Sequence, residues 1–161
     1  MKWDELAEQP CSLARTMAVI GDRWTMLIVR ELFLGMRRFE QFQERLDLPK
    51  AMLADRLKLL VEEGVLEKRA YQERPVRYEY RLTPMGFDLY PVVMAIVAWG
   101  NKHRAGENGP PLLHHHKTCG HDFAPVMTCN ECGEVLDAHD VGVRPGEAYA
   151  EQLGDYMRKS G

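Results

Sequence analysis

Two short stretches in the last third of the chain carry the residues best suited to bind a metal. His116-Lys-Thr-Cys119-Gly and Cys129-Asn-Glu-Cys132-Gly both read ligand, two spacers, ligand, glycine. A two-residue spacer lets both side chains converge on one ion, and the glycine permits the tight turn beneath them. Two such knuckles with a nine-residue link between them (120–128) make a small zinc ribbon with three cysteines and one histidine. The alternative is a reduced, metal-free hairpin. His114, His115, His121 and His139 compete with His116 for the fourth ligand position. Four protein ligands would close the site, so the zinc expected here is structural and not catalytic. A zinc deaminase would need His-x-Glu upstream and a proline directly before Cys-x-x-Cys. The chain has no His-x-Glu, and Thr128 precedes Cys129; no enzymatic activity is expected.

The remaining cysteine, Cys11, stands alone near the start. It falls just ahead of an expected helix, where the N-terminal end lowers a thiol pKa and makes a redox role chemically reasonable. It serves equally well as a small apolar filler, and no neighbouring cysteine supplies a resolving partner.

A second chemistry, phosphate binding, rests on basic residues spread over the middle of the chain. Net charge is −3, yet residues 21–83 hold 13 Lys/Arg against 11 Asp/Glu, whereas residues 105–161 hold 4 against 9. Nucleic acid senses charge only within a Debye length, so a locally basic middle and an acidic tail are compatible with DNA binding. Arg37 and Arg38 are candidates for phosphate contact, Lys50, Arg56 and Lys58 for the major groove, and Arg74 and Arg77 for the backbone or minor groove. Asp55 is placed to orient Arg56 or to pair with it.

The elements that must position these groups are readable from spacing. Ser12–Ile20 is expected to be a helix with Leu13, Met17 and Ile20 on one face. Asp22 caps a second, from Trp24 to Leu34, closed by Gly35. Met36–Arg38 is a short strand and Phe39–Leu46 a third helix. After the turn Asp47-Leu48-Pro49, with Pro49 in the first helical turn, a fourth helix runs from Lys50 to Glu63. It buries Leu53, Leu57 and Leu60 and leaves small and basic residues outside. Val65–Tyr71 and the alternating Val76–Leu82 form a half-buried hairpin around the loop 72–75. Thr83-Pro84 starts a long helix to about Lys102, kinked at Pro91 and apolar on more than one face. One face is expected to meet a second subunit, with Leu13, Met17, Val93, Ile96, Val97 and Trp99 at the homodimer interface. A helix is expected after Pro145.

The fold class is therefore mainly α (α+β): a winged helix-turn-helix at 1–104, a linker at 105–113 and a zinc-ribbon-like extension at 114–161. Met1–Glu5 carry no apolar run of a secretion signal, and the most apolar window, Val92–Trp99, is too short to span a bilayer. A cytoplasmic protein without membrane contact is expected.

The run Cys11-Ser-Leu-Ala-Arg, Ile20-Gly-Asp-Arg-Trp-Thr, Gly35-Met-Arg-Arg-Phe, Leu53-Ala-Asp-Arg-Leu-Lys-Leu-Leu, Glu63-Gly-Val-Leu and Tyr78-Glu-Tyr-Arg-Leu-Thr, taken in order, closely resembles the HxlR family of bacterial transcriptional regulators over about residues 10–104. The resemblance implies a homodimer, joined through the first and last helices of the domain, that binds an inverted-repeat operator in double-stranded DNA. It makes the Lys50–Glu63 helix the recognition helix and Arg74–Arg77 the wing, and it adds a thiol switch to the readings of Cys11. Two departures stand out: Pro49 replaces the serine that often caps the recognition helix, and many members lack the extension beyond residue 105. Two other uses of the chain remain open, a winged helix serving only as a protein-interaction module and a redox regulator acting through Cys11. No residue pattern specifies a small-molecule effector.

Overall fold

The computed structural model describes residues 6–147. The helix expected after Pro145 falls largely on residues 148–161, outside the described residues. The elements follow in the order α1 (Ser12–Ile20), α2 (Arg23–Phe33), α3 (Phe39–Leu46), α4 (Lys50–Glu62), β1 (Leu66–Glu73), β2 (Val76–Leu82), α5 (Pro84–Phe87) and α6 (Tyr90–Arg104).

The first half forms as its local signals dictate. Asp22 Oδ1 accepts from the N–H groups of Trp24 (3.0 Å) and Thr25 (3.3 Å), which relieves two of the orphan donors at the start of α2. That helix ends before Gly35, whose φ of +96° suits a residue without Cβ. Ile28, Val29 and Leu32 of α2, Phe42 of α3 and Leu53, Leu57 and Leu60 of α4 make one buried core, closed by Leu66, Leu82 and Val93. Within it lies a charged group. Glu31 is fully buried and is met by Arg30 from its own helix and by Arg45 Nε of α3 at 3.5 Å. The turn into α4 puts Asp47 at φ +49°, a left-handed conformation its short polar side chain tolerates. Pro49 stands one position earlier than expected. It is the N-cap itself, with its carbonyl accepting from Leu53 N–H at 3.0 Å, and no side chain caps the helix.

The hairpin pairs antiparallel from Leu66↔Leu82 to Glu73↔Val76, with a bulge at Tyr71. Its loop is the two residues Arg74-Pro75, shorter than the expected four. Only Leu66 and Leu82 at its base are buried, while Val76 and Tyr78 are exposed. The alternating pattern is therefore half-buried only near the body; the outer half projects beyond anything it could pack against. The segment before α3 adds a third, minimal strand: Arg38 bridges Glu79, and Tyr80 N–H donates to the Arg37 carbonyl at 2.8 Å.

The expected long kinked helix is two helices. Its chain breaks at Asp88-Leu89 and restarts at Tyr90. Pro91 has no N–H and would clash with the carbonyl four residues back, so a fresh start with proline in the first turn is the lower-energy solution. Thr83 accepts from Gly86 N–H at 3.1 Å and donates to the Gly64 carbonyl at 2.6 Å, which seats α5 on the hairpin base. Gly86 is pressed there so closely that a Cβ would lie 2.3 Å from the Val65 carbonyl oxygen. No helix among the described residues is long and apolar enough to cross a membrane.

Candidate nucleic-acid interface

The outer face of α4 presents Lys50, Ala51, Ala54, Asp55 and Lys58 to solvent, opposite its buried leucines. Small side chains flanked by lysines let a helix approach the floor of a groove that is about 12 Å wide in B-DNA. Lys58 Nζ sits 3.6 Å from Glu62, an exposed pair of the kind that contributes little and opens readily. Lys50 has no acidic partner among the described residues.

Arg56 is placed differently from the sequence expectation. Its Nε donates to Asp22 Oδ1 at 3.0 Å and its Nη2 to Oδ2 at 3.4 Å, so its partner is Asp22 and not Asp55. Burial alone would raise the Asp22 carboxyl. The Trp24 N–H, the Arg56 guanidinium and the Thr25 N–H outweigh that effect and hold it below its ordinary value. Arg56 thus ties α4 to the start of α2, a contact between residues too far apart in sequence for periodicity to reveal.

In the hairpin the arginines divide into two classes. Arg69 pairs with Glu67 at 3.1 Å and Arg81 with Glu79 at 2.6 Å, so these two charges are neutralised. Arg74 and Arg77, at the tip, make no ion pair among the described residues. Lys68, which the sequence did not single out, lies 4.3 Å from the Tyr78 ring and adds a cation to the wing. Only the hairpin register brings the two together. Arg37 and Arg38 flank the same side of the fold. Arg37 Nη1 donates to the Leu32 carbonyl at 3.3 Å, and Arg38 is exposed with its guanidinium 4.5 Å from the Tyr71 ring. Gln41 Oε1 accepts from both of their backbone N–H groups, at 3.0 and 2.9 Å, which fixes the approach of the chain to α3. Tyr80, beneath this surface, has its phenol pushed up by burial and by the charge of Glu40.

The residues expected at the dimer interface fall on two sides of α6. Val93 is buried in the protomer's own core and Val97 packs against it. Ile96 and Trp99, by contrast, are 54% and 57% exposed and share a stripe with exposed Val92. On α1, Leu13 is 68% exposed and Met17 half-buried. Between α2 and α6 lies a cleft of about 280 Å³, lined by Phe33, Leu34, Tyr90 and Val97, with Arg30 and Arg104 also in its wall.

Cys11 is exposed at the N-cap of α1. In the tail, His116 Nδ1 lies 3.4 Å from Cys119 Sγ. The Cys129 thiol is lowered by the N–H groups of Cys132 and Glu131 and by the Cys132 thiol. Each half thus has its two donors side by side, but no group of three candidate ligands is gathered at one point among the described residues.

Comparison with known proteins agrees with this arrangement. The model of the HxlR-like helix-turn-helix family matches residues 19–108. An HTH-type transcriptional regulator of Mycobacterium bovis is 39% identical over 142 residues, covering 88% of this chain and 90% of its own length. The crystal structure of PA1607, a candidate transcription factor, superposes with a TM-score of 0.79 at 35% identity over 88% of this chain and 99% of that one. The redox regulator HypR in its reduced form gives 0.55 at 28% identity, over 58% of this chain and 94% of its own. The chain belongs to the HxlR-like helix-turn-helix family, and it is a winged-helix, DNA-binding transcriptional regulator.

Proposed function

We propose that the protein works as a homodimer on an inverted-repeat operator, with α4 of each protomer in a major groove and the Arg74–Arg77 wing on the adjoining backbone or minor groove. The observation that carries this reading is the split among the hairpin arginines: Arg69 and Arg81 are paired with Glu67 and Glu79, while Arg74 and Arg77 at the wing tip, like Lys50 on the reading helix, have no acidic partner among the described residues. Arg37, Arg38 and Lys58 complete the phosphate-contacting set, and Arg56 supports it by holding α4 in place. The second copy is called for by the apolar stripe of Val92, Ile96 and Trp99 on α6 together with Leu13 on α1. Exposed apolar surface of this kind favours a partner of matching character, and a two-fold dimer offers the same stripe to itself. A cytoplasmic location follows from this reading.

Selection of duplexes from a random pool by the purified protein tests the proposal. The expected product is a two-fold symmetric site bound by two chains, with half-sites about 34–36 Å apart or a multiple of that spacing. Recovery of a pool with no common site, or a site bound by one chain, would remove it.

A second reading concerns Cys11, because its thiol is solvent-exposed on the helix that carries part of the proposed dimer face. Oxidation there would act on dimer geometry and so on DNA affinity. If a Cys11→Ser variant loses operator affinity under peroxide as the parent does, this reading fails.

A further inference from the structure

We infer that the tail is a tandem repeat of one turn and that the repeat holds a single zinc ion per chain through His116, Cys119, Cys129 and Cys132. The first turn recurs, bond for bond, when every residue is advanced from the 116 to the 129 position. Gly120 N–H donates to the His116 carbonyl at 2.7 Å, and Gly133 N–H to the Cys129 carbonyl at 2.8 Å. Both glycines have positive φ, +72° and +75°. His116 N–H donates to the His121 carbonyl and Cys129 N–H to that of Glu134, each at 2.8 Å. One step further out, Phe123 N–H donates to the His114 carbonyl and Leu136 N–H to that of Met127, each at 2.9 Å. The bridge His115↔Asp122 is matched by Thr128↔Val135. Seven backbone positions thus correspond in order (114–116 and 120–123 with 127–129 and 133–136), although their side chains share little beyond the ligand and glycine pattern.

The repeat decides among the histidines. Its first ligand position holds His116 in one turn and Cys129 in the other, and its second holds Cys119 and Cys132. His114, His115 and His121 correspond to Met127, Thr128 and Glu134, which lie off the ligand positions, and His139 lies beyond the second turn. Geometry within the first turn fits the assignment. Zn–S of about 2.3 Å and Zn–N of about 2.0–2.1 Å at a tetrahedral angle require the two donors to stand about 3.5 Å apart, and His116 Nδ1 and Cys119 Sγ are 3.4 Å apart.

Among the described residues the two turns have no buried apolar core between them. No described residue from 106 to 147 is buried, and Val126, Met127 and Val135 are exposed. A segment this short and this poorly packed needs a staple, and a closed metal site supplies binding free energy as folding free energy. The four donors stand in two pairs, and the link of residues 120–128 is long enough to let those pairs meet at one ion. The inference rests on the tail alone and stands or falls separately from operator binding.

The test is elemental analysis of the full chain, purified under reducing conditions without chelator and dialysed after saturation with zinc, together with the absorption spectrum of its cobalt(II) form. The expected result is about one zinc per chain, a tetrahedral cobalt spectrum with thiolate charge-transfer bands, and loss of the metal in His116→Ala and Cys132→Ser but not in His114→Ala, His121→Ala or His139→Ala. Metal-free wild type after saturation would overturn the inference, as would an octahedral cobalt spectrum without thiolate bands. Loss of zinc from His121→Ala with retention in His116→Ala would do the same. The wild-type cobalt spectrum decides even if a substituted tail fails to fold.

Discussion

Arg56 grips the same carboxylate that caps α2: Asp22 accepts from Trp24 and Thr25 N–H on one side and from both Nε and Nη2 of Arg56 on the other. One aspartate therefore starts a core helix and anchors the helix proposed to read DNA. Because its pKa is lowered in the folded state, the stabilisation it provides is fully present above the ordinary aspartate value of about 3.9 and is lost as pH falls through the folded value. Urea unfolding of the parent and of Asp22→Asn should show the parent's advantage at pH 7 shrinking toward pH 3. An advantage that grows on acidification contradicts the assignment.

At neutral pH the same pair should be coupled. Asp22→Asn and Arg56→Ala, measured singly and together, are expected to be non-additive by about 0.5–1 kcal/mol, as befits a pair that is partly exposed. Strict additivity would mean that the contact contributes nothing to stability.

The contacts proposed for DNA should separate by salt dependence. Arg77→Ala and Arg74→Ala should weaken all duplexes alike, each lowering the slope of log affinity against log salt by about 1. Lys50→Ala should cost about 1–3 kcal/mol on the selected operator if it reads a base edge, and less on random DNA. Unchanged affinity and slope in all three variants would show that this face does not meet DNA.

For the dimer, Trp99→Asp puts a charge into the apolar stripe and should yield monomers or aggregates in light scattering. Val93→Ala, by contrast, should lower unfolding stability with little change in association, since Val93 is buried within the protomer. A stable Trp99→Asp dimer would take this residue out of the interface.

The buried Glu31 allows a contrast between ion pairs. Among the described residues its Oε2 has no hydrogen-bond partner and lies 3.5 Å from Arg45 Nε, so Arg45→Ala should cost about 1–3 kcal/mol in urea unfolding. Arg69→Ala, which breaks an exposed pair with Glu67, should cost about 0.5 kcal/mol or less. Equal costs would refute the distinction.

What could be read from the chain before the structure was local. The Asp22 cap, the apolar spacing of Leu53, Leu57 and Leu60 and the alternation in Val76–Leu82 each express one element's own preferences, and those elements formed close to the expected bounds. Pro49 and Pro91 were misplaced by a residue or read as a kink because proline's missing N–H allows either a cap or a first-turn position. The pairing of Arg56 with Asp22 was invisible for another reason: it depends on how two helices cross, and periodicity carries no information about that. Val93 and Ile96 look alike in sequence, and only the rotation of α6 against the core separates the buried valine from the exposed isoleucine. The histidine and cysteine motif was visible, whereas the backbone repeat beneath it lies in hydrogen bonds that side chains do not spell out.

The seat of α5 has a mechanical consequence. Gly86 brings the start of the segment leading to α6 into direct touch with the Val65 carbonyl, leaving no room for even a methyl group. That contact fixes where the base of the wing meets the segment that leads to the apolar stripe of α6. In a two-fold assembly a small rotation about it would change the separation of the paired α4 helices on both sides at once. DNA would accept such helices only at whole turns of its own helix, so in the proposed dimer the missing side chain at Gly86 would bear on whether the two reading helices stay in phase.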